Sequence, residues 1–348
     1  MRTSLASFRA QDSLQRYGLV GLVLAVVGLL ISALATAEAG QAPAKTLRLA
    51  HALNEQSAYH QGALEFQRQV ERLSNGQLKV EIFANAQLGN DRAQTEALQL
   101  GTIDFTSMSS TTLAGTVPLL QVGDLPFIFR DFKHVDRVLD GPIGEEFVKQ
   151  FAGKGFKPIA WWEIGFRHLT NSKRPVRVPD DVRGLKLRTL TNPIHQRAWQ
   201  LLGAQVTPMD FQEVYSALQQ GVVDGQDNPL NIIGTSRLYE VQKYVSLTSH
   251  VFSASPFLAS DSILGKLSPE EQKIVMEAAK LSAVRERQAA RGLDDEWLKT
   301  VESKGMQVER SPDRDQFAAK MKPVWDEYAS KYGPPGAKLL ELLIGSRQ

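Results

Sequence analysis

Arg188 closes the run Gly184-Leu185-Lys186-Leu187-Arg188, in which alternation sends Leu185 and Leu187 to one face of a short strand and Lys186 and Arg188 to the other. A guanidinium presents paired donors that match the two oxygens of a carboxylate, which a lysine cannot reproduce. A second arginine, Arg167, stands upstream in Gly165-Phe166-Arg167-His168, close to Trp161 and Trp162. Downstream come a helix-like stretch beginning at Phe211 and then Asn228, directly before Pro229. An Asn amide donates and accepts at once, and the proline stiffens the turn that presents it. These groups suit holding a carboxylate, and none suits breaking a bond. Two bland readings stand beside this one: Arg188 as half of a structural salt bridge, and Phe211 as a core residue on the Val214 and Leu218 helix face.

Catalysis finds no support. The six histidines (His51, His60, His134, His168, His195 and His250) make no H-E-x-x-H or other compact ligand spacing. There is no G-x-S-x-G elbow, Walker loop or dinucleotide fingerprint. The chain has no cysteine, which excludes disulfides, thiolate chemistry and cysteine metal sites. Neither a cofactor nor a metal is expected.

Residues 1–18 carry Arg2, Arg9 and Arg16 against Asp12 alone, residues 19–34 are uncharged and apolar, and Ala35-Thr36-Ala37 follows. A basic start, an apolar run and an A-x-A site describe a secretory signal peptide. The apolar run is 16 residues, short of the roughly 20 needed to span a bilayer. Cleavage is expected near Ala37, and with it export. Residues 1–37 hold three of the 40 basic and one of the 38 acidic residues, so 37 of each sign remain. A net charge of zero argues against nucleic acid and against electrostatic docking to a membrane.

Several elements must position the arginines. Residues 47–50 read as a strand; Tyr59, Ala63, Phe66, Val70 and Leu73 form one helical face; and Leu78, Val80 and Ile82 alternate as a second strand. Strand, helix, strand is a βαβ unit, so the fold class is α/β. ALQLGTID at 97–104 is echoed by ALQQGVVD at 217–224, as two lobes built alike would produce. Residues 85–90, 172–183 and 255–261 read as loops, and 117–129 as buried connecting structure. Ser268-Pro269-Glu270-Glu271 is a helix start with a capping box, and good helix formers continue to Lys304. So long a rod is best used to run along both lobes, with a second helix at 313–332 finishing the chain.

The block from Gly184 to Pro229 resembles the signature region of the solute-binding proteins of TRAP transporters, the DctP-like family. The likeness runs from LRLAHAL at Leu47 to about Gly305, and is most specific at residues 184–188, 208–215 and 225–229. It implies a two-lobed, periplasmic-binding-protein-like (type II-like) fold, with lobe I from 38–164 plus 254–293 and lobe II from 165–253 plus 294–348. It implies a monomeric receptor, not an enzyme, that closes over a small organic acid and docks on TRAP membrane permease subunits. In proteins similar to this, the arginine of the GLK-x-R strand is the principal carboxylate clamp, which falls on Arg188. The arginine about twenty residues earlier, Arg167, gives a secondary contact, Asn228 touches the same end, and Phe211 packs beside it.

For the opposite lobe the resemblance points to Asp91 and Ser109. Sialic-acid-binding relatives carry an acidic residue where Ser109 stands and an Asn where this chain has Ala52, so sialic acid is disfavoured. A polar wall of Asp91, Ser109, His51 and Trp162 would suit a uronate or aldonate, with a C4-dicarboxylate or 2-oxo acid as the competing class. A ligand-sensing domain for a signalling partner and a secreted enzyme with an unfamiliar site stay open as alternatives.

Overall fold

The computed structural model describes residues 44–347, and the signal peptide expected at 1–37 lies outside them. From Thr46 onward the chain forms one compact unit. Its strands in chain order are β1 (Lys45–His51), β2 (Leu78–Phe83), β3 (Phe105–Ser107), β4 (Phe156–Phe166), β5 (His168–Asn171), β6 (Lys186–Thr189), β7 (Gln205–Pro208), β8 (Gly225–Asn228), β9 (Tyr244–Ser246), β10 (Phe252–Ser260) and β11 (Gln307–Glu309). They form two mixed sheets, ordered β2-β1-β3-β10-β4 and β11-β9-β5-β8-β6-β7. β1 runs parallel to β3, and β6 runs parallel to both β7 and β8.

The chain changes sheets at Arg167, between the end of β4 and the start of β5, and returns between β9 and β10. The two crossings lie side by side, because the Arg167 backbone N–H donates to the Val251 carbonyl at 2.8 Å. A third connection is the helix Pro269–Ser303, started by the capping box in which Ser268 and Glu271 exchange hydrogen bonds of 3.2 and 2.7 Å. Its 35 residues extend about 50 Å. It packs on the helix Ala58–Leu73 and on β4, and also on the helix Leu230–Thr235 beyond β8. Polar fasteners hold it to both: Arg291 grips both oxygens of Glu163 in β4 at 2.8 and 2.9 Å, and Asp294 accepts the Asn231 backbone N–H at 3.0 Å.

The sequence echo has the same geometry in each sheet. Both ALQ helices end on a left-handed glycine, Gly101 (φ 68°) and Gly221 (φ 70°). The aspartate that follows then pairs with the neighbouring parallel strand. Arg48 donates its backbone N–H to Asp104 Oδ2 (2.7 Å) and accepts the Asp104 N–H (3.0 Å); Lys186 does the same with Asp224 (2.9 and 2.7 Å).

Two expectations need correction. Residues 255–261 are mostly strand: β10 ends at Ser260, is buried throughout, and lies between β3 and β4. Pro256 is accommodated next to register shifts at Ser253/Ala254 and Phe257/Leu258, where the ladder is already interrupted. The expected terminal helix is instead Arg314–Lys320 followed by Lys322–Gly345, the latter kinked at Gly333 (φ 57°) ahead of Pro334 and Pro335. That last helix packs on the turns Pro118–Asp124 and on the helices Pro142–Lys149 and Pro193–Leu201.

Candidate functional site

A cavity of about 90 Å³ opens beyond the carboxyl ends of the parallel strands of both sheets. Ala52 and Leu53 follow β1, Met108 and Ser109 follow β3, Leu190 and Thr191 follow β6, Met209 and Asp210 follow β7, and Asn228 ends β8; all line it. Crevices at such strand ends are where open α/β sheets bind ligands. A volume of this size holds several water-sized groups and so admits a small organic molecule.

Arg188 is the cationic centre of this space. Leu185 and Leu187 enter the core, so the alternation of β6 turns Arg188 to the cavity. Its side chain is almost fully buried, and its Nε and Nη2 donate to the Met209 carbonyl at 3.1 and 2.8 Å. Among the described residues these are its side-chain hydrogen bonds, and no carboxylate forms an ion pair with it. Burial and the neighbouring Arg167 lower it to about 10, which leaves it charged at neutral pH. A backbone oxygen thus fixes one edge of the guanidinium and leaves the charge for something else.

Arg167 reaches the same cavity in a different state. Its Nε donates to Asp227 Oδ2 at 2.6 Å, its Nη2 to the Asp227 carbonyl, and its Nη1 to Ser253 Oγ at 3.3 Å. The structural salt bridge weighed for Arg188 is realised here, fully buried. His250 Nε2 approaches the same Asp227 oxygen at 3.2 Å. Burial alone would raise Asp227, but Arg167 and then His250 outweigh it and hold the carboxyl well below its usual range. Asn228 points beside them, its amide donating to Gln226 Oε1.

The opposite wall is rich in acceptors. Asp91 keeps contact with cavity solvent yet is enclosed by protein, and that desolvation, with Asp210 nearby, lifts it to about 6 against the pull of Thr112 and Arg188. Ser109 accepts the Thr111 backbone N–H at 3.3 Å. Phe211 is half-buried and belongs to both readings, lining the cavity while packing against Val214 and Leu218.

The structure therefore brings Arg188, Arg167, Asn228, Phe211, Asp91 and Ser109 to one cavity, and leaves His51 and Trp162 out of its lining. Trp162 is a core residue, stacked on Phe257 at 4.4 Å with its indole N–H on Ser282. His51 is buried, its Nε2 3.2 Å from His60 Nδ1, and burial lowers it to about 3, so it is neutral. Lining residues beyond those expected from sequence include Tyr59, Asn90, Arg92, Thr112 and Asp210. Tyr59 was legible only as part of a helix face; its hydroxyl hydrogen-bonds Ser255, which lies 196 positions away.

Two sheets joined at a crossover, a helix fastened to both, and a buried unpaired guanidinium in the crevice between them define a solute receptor. The chain belongs to the bacterial extracellular solute-binding proteins, family 7 (DctP), whose family model matches residues 49–331. These are the non-enzymatic, periplasmic receptors of TRAP transporters, as the expected fold and function required. The 2,3-diketo-L-gulonate-binding periplasmic protein of Escherichia coli is 32% identical over 90% of this chain and 95% of its own. Among solved structures, a TRAP periplasmic solute-binding protein of Polaromonas bound to D-erythronate is 35% identical, with a TM-score of 0.83 covering 86% of this chain and 98% of that one. One from Bordetella bronchiseptica, with density assigned to pantoate, is 39% identical, with a TM-score of 0.83 covering 87% and 100%.

Proposed function

We propose that this receptor captures a short hydroxylated monocarboxylate, a sugar acid of the aldonate or uronate kind, and hands it to TRAP membrane permease subunits. Arg188 takes the carboxylate, Asn228 and the Arg167–Asp227 pair border that end, and Phe211 excludes water beside it. The hydroxyls face Asp91, Ser109 and Thr112. The observation that carries the reading is the buried charge of Arg188, held by the Met209 carbonyl and in an ion pair with no carboxylate among the described residues. An acid ligand supplies the missing partner.

The far wall decides between ligand classes. Three arginines line the cavity, of which Arg167 is neutralised by Asp227 and the exposed Arg92 pairs with Glu96, so Arg188 is the cation without an ion pair, against Asp91 and Asp210. A second carboxylate on a C4-dicarboxylate would meet those like charges, whereas ligand hydroxyls can donate to them. D-erythronate, pantoate and diketogulonate, the acids of the relatives, each carry one carboxylate and several oxygens.

The chain acts as a monomer in the periplasm after cleavage near Ala37, which N-terminal sequencing of the exported protein tests. The ligand class is tested by a thermal-shift screen of the mature protein against D-erythronate, pantoate, aldonates, uronates, succinate and 2-oxo acids. Mass action raises the midpoint for a bound acid. A shift with the dicarboxylate and none with the hydroxy acids would refute the assignment.

A further inference from the structure

Asn90 and Asp210 occupy the same place in the two halves of the repeat. Each immediately precedes one of the two echoing helices, Asp91–Leu100 and Phe211–Gln219, at the cavity. Asn90 behaves as a helix cap should, its Oδ1 accepting the Ala93 backbone N–H at 3.0 Å. Asp210 is an equally good capping type, yet its side chain caps nothing. Its Oδ2 instead accepts Asn90 Nδ2 at 2.6 Å, a bond between residues 120 positions apart that joins the two sheets' helices across the cavity.

We propose that the Asn90–Asp210 hydrogen bond is the latch of the binding site, biasing the two halves toward the closed arrangement with or without the acid and setting how long a bound acid stays. This rests on the receptor reading above. The two residues are suited to reversible closure in different ways. Asn90 latches with its amide N–H₂ while its oxygen goes on capping, so its helix loses nothing on closing. Asp210 has a second use for its carboxylate, since on opening it can turn back to the free N–H groups of its own helix. The pair sits at the mouth, with Asp210 exposed, unlike the buried Arg167–Asp227 pair that ties strands together. A charge-assisted but solvent-reached bond is one that can break.

The test is a charge inversion. Asn90→Asp keeps a good cap for its helix but sets a carboxylate against Asp210; adding Asp210→Asn restores a donor facing an acceptor. With the tightest acid of the screening panel, Asn90→Asp should raise the dissociation rate at least ~10-fold, and the double variant should recover most of that. In parallel, spin labels on Leu100→Cys and Val222→Cys, both exposed in a chain without cysteine, report the separation of the halves with no ligand needed. The label distance should lengthen in Asn90→Asp and return in the double variant. An unchanged dissociation rate and distance in Asn90→Asp, or a double variant no better than the single one, overturns the latch. If no acid binds the parent protein, the ligand assignment fails and the label distances alone decide the latch.

Discussion

Arg188 is held by the backbone oxygen of Met209, not by a carboxylate. A buried cation oriented this way is prepared for an anionic partner and poorly served without one. Removing a hydrogen-bonded partner from a buried charge pair costs about 2–5 kcal/mol, so Arg188→Ala should weaken acid binding by at least ~30-fold. Arg188→Lys should also bind poorly, since the amine offers a point charge where a fork is needed. Titration calorimetry on the mature proteins checks both.

Asp91 makes binding depend on pH. Its folded pKa of about 6 lies above the ordinary carboxylate value, so the protonated form is favoured below 6 and the charged form above it. The sugar acid, with a pKa of about 3.5, keeps its charge throughout this window. Affinity should therefore rise as pH falls from about 7.5 to 5.5, because a neutral Asp91 no longer repels the acid and can donate to a hydroxyl. Asp91→Asn should flatten that slope. An equal slope in the variant would assign the dependence elsewhere.

Asp227 works in the opposite sense. Its folded pKa is depressed, so its contribution to stability is present above about pH 4 and is lost as pH falls through the carboxylate range. Asp227→Asn leaves Arg167 buried and unpaired, at a cost of about 3–5 kcal/mol near neutrality. Thermal unfolding should show a large drop at pH 7 that narrows toward pH 3.

Gly225 begins the strand that carries Asp227 and Asn228. A Cβ there would lie 2.1 Å from the Thr170 carbonyl oxygen and 2.8 Å from Asn171 Cβ, on the paired strand β5. Backbone cannot yield cheaply, so Gly225→Ala should destabilise by about 1–3 kcal/mol and weaken ligand binding together. Denaturant unfolding beside calorimetry tests whether the two losses appear in one variant.

Local signals were readable where one segment carries its own pattern. The first βαβ unit, the Ser268–Glu271 box and the two ALQ helices needed only periodicity and caps. Arg188 was legible because its strand alternates, with Leu185 and Leu187 going to the core. That logic fails for strands buried on both faces: β10 is buried at every position, and neither His51 nor Trp162 could be assigned a side by alternation. Pairings across sequence were hidden for a different reason. Arg167 with Asp227, Asn90 with Asp210, and Tyr59 with Ser255 are set by how the sheets meet, which no local pattern states.

The most direct measurement is a crystal structure of the mature protein with the tightest acid of the panel. The ligand's carboxylate should lie against the Arg188 guanidinium in hydrogen bonds of roughly 2.7–2.9 Å, with its hydroxyls toward Asp91 and Ser109. A carboxylate bound elsewhere, with Arg188 still facing only Met209, would contradict the account.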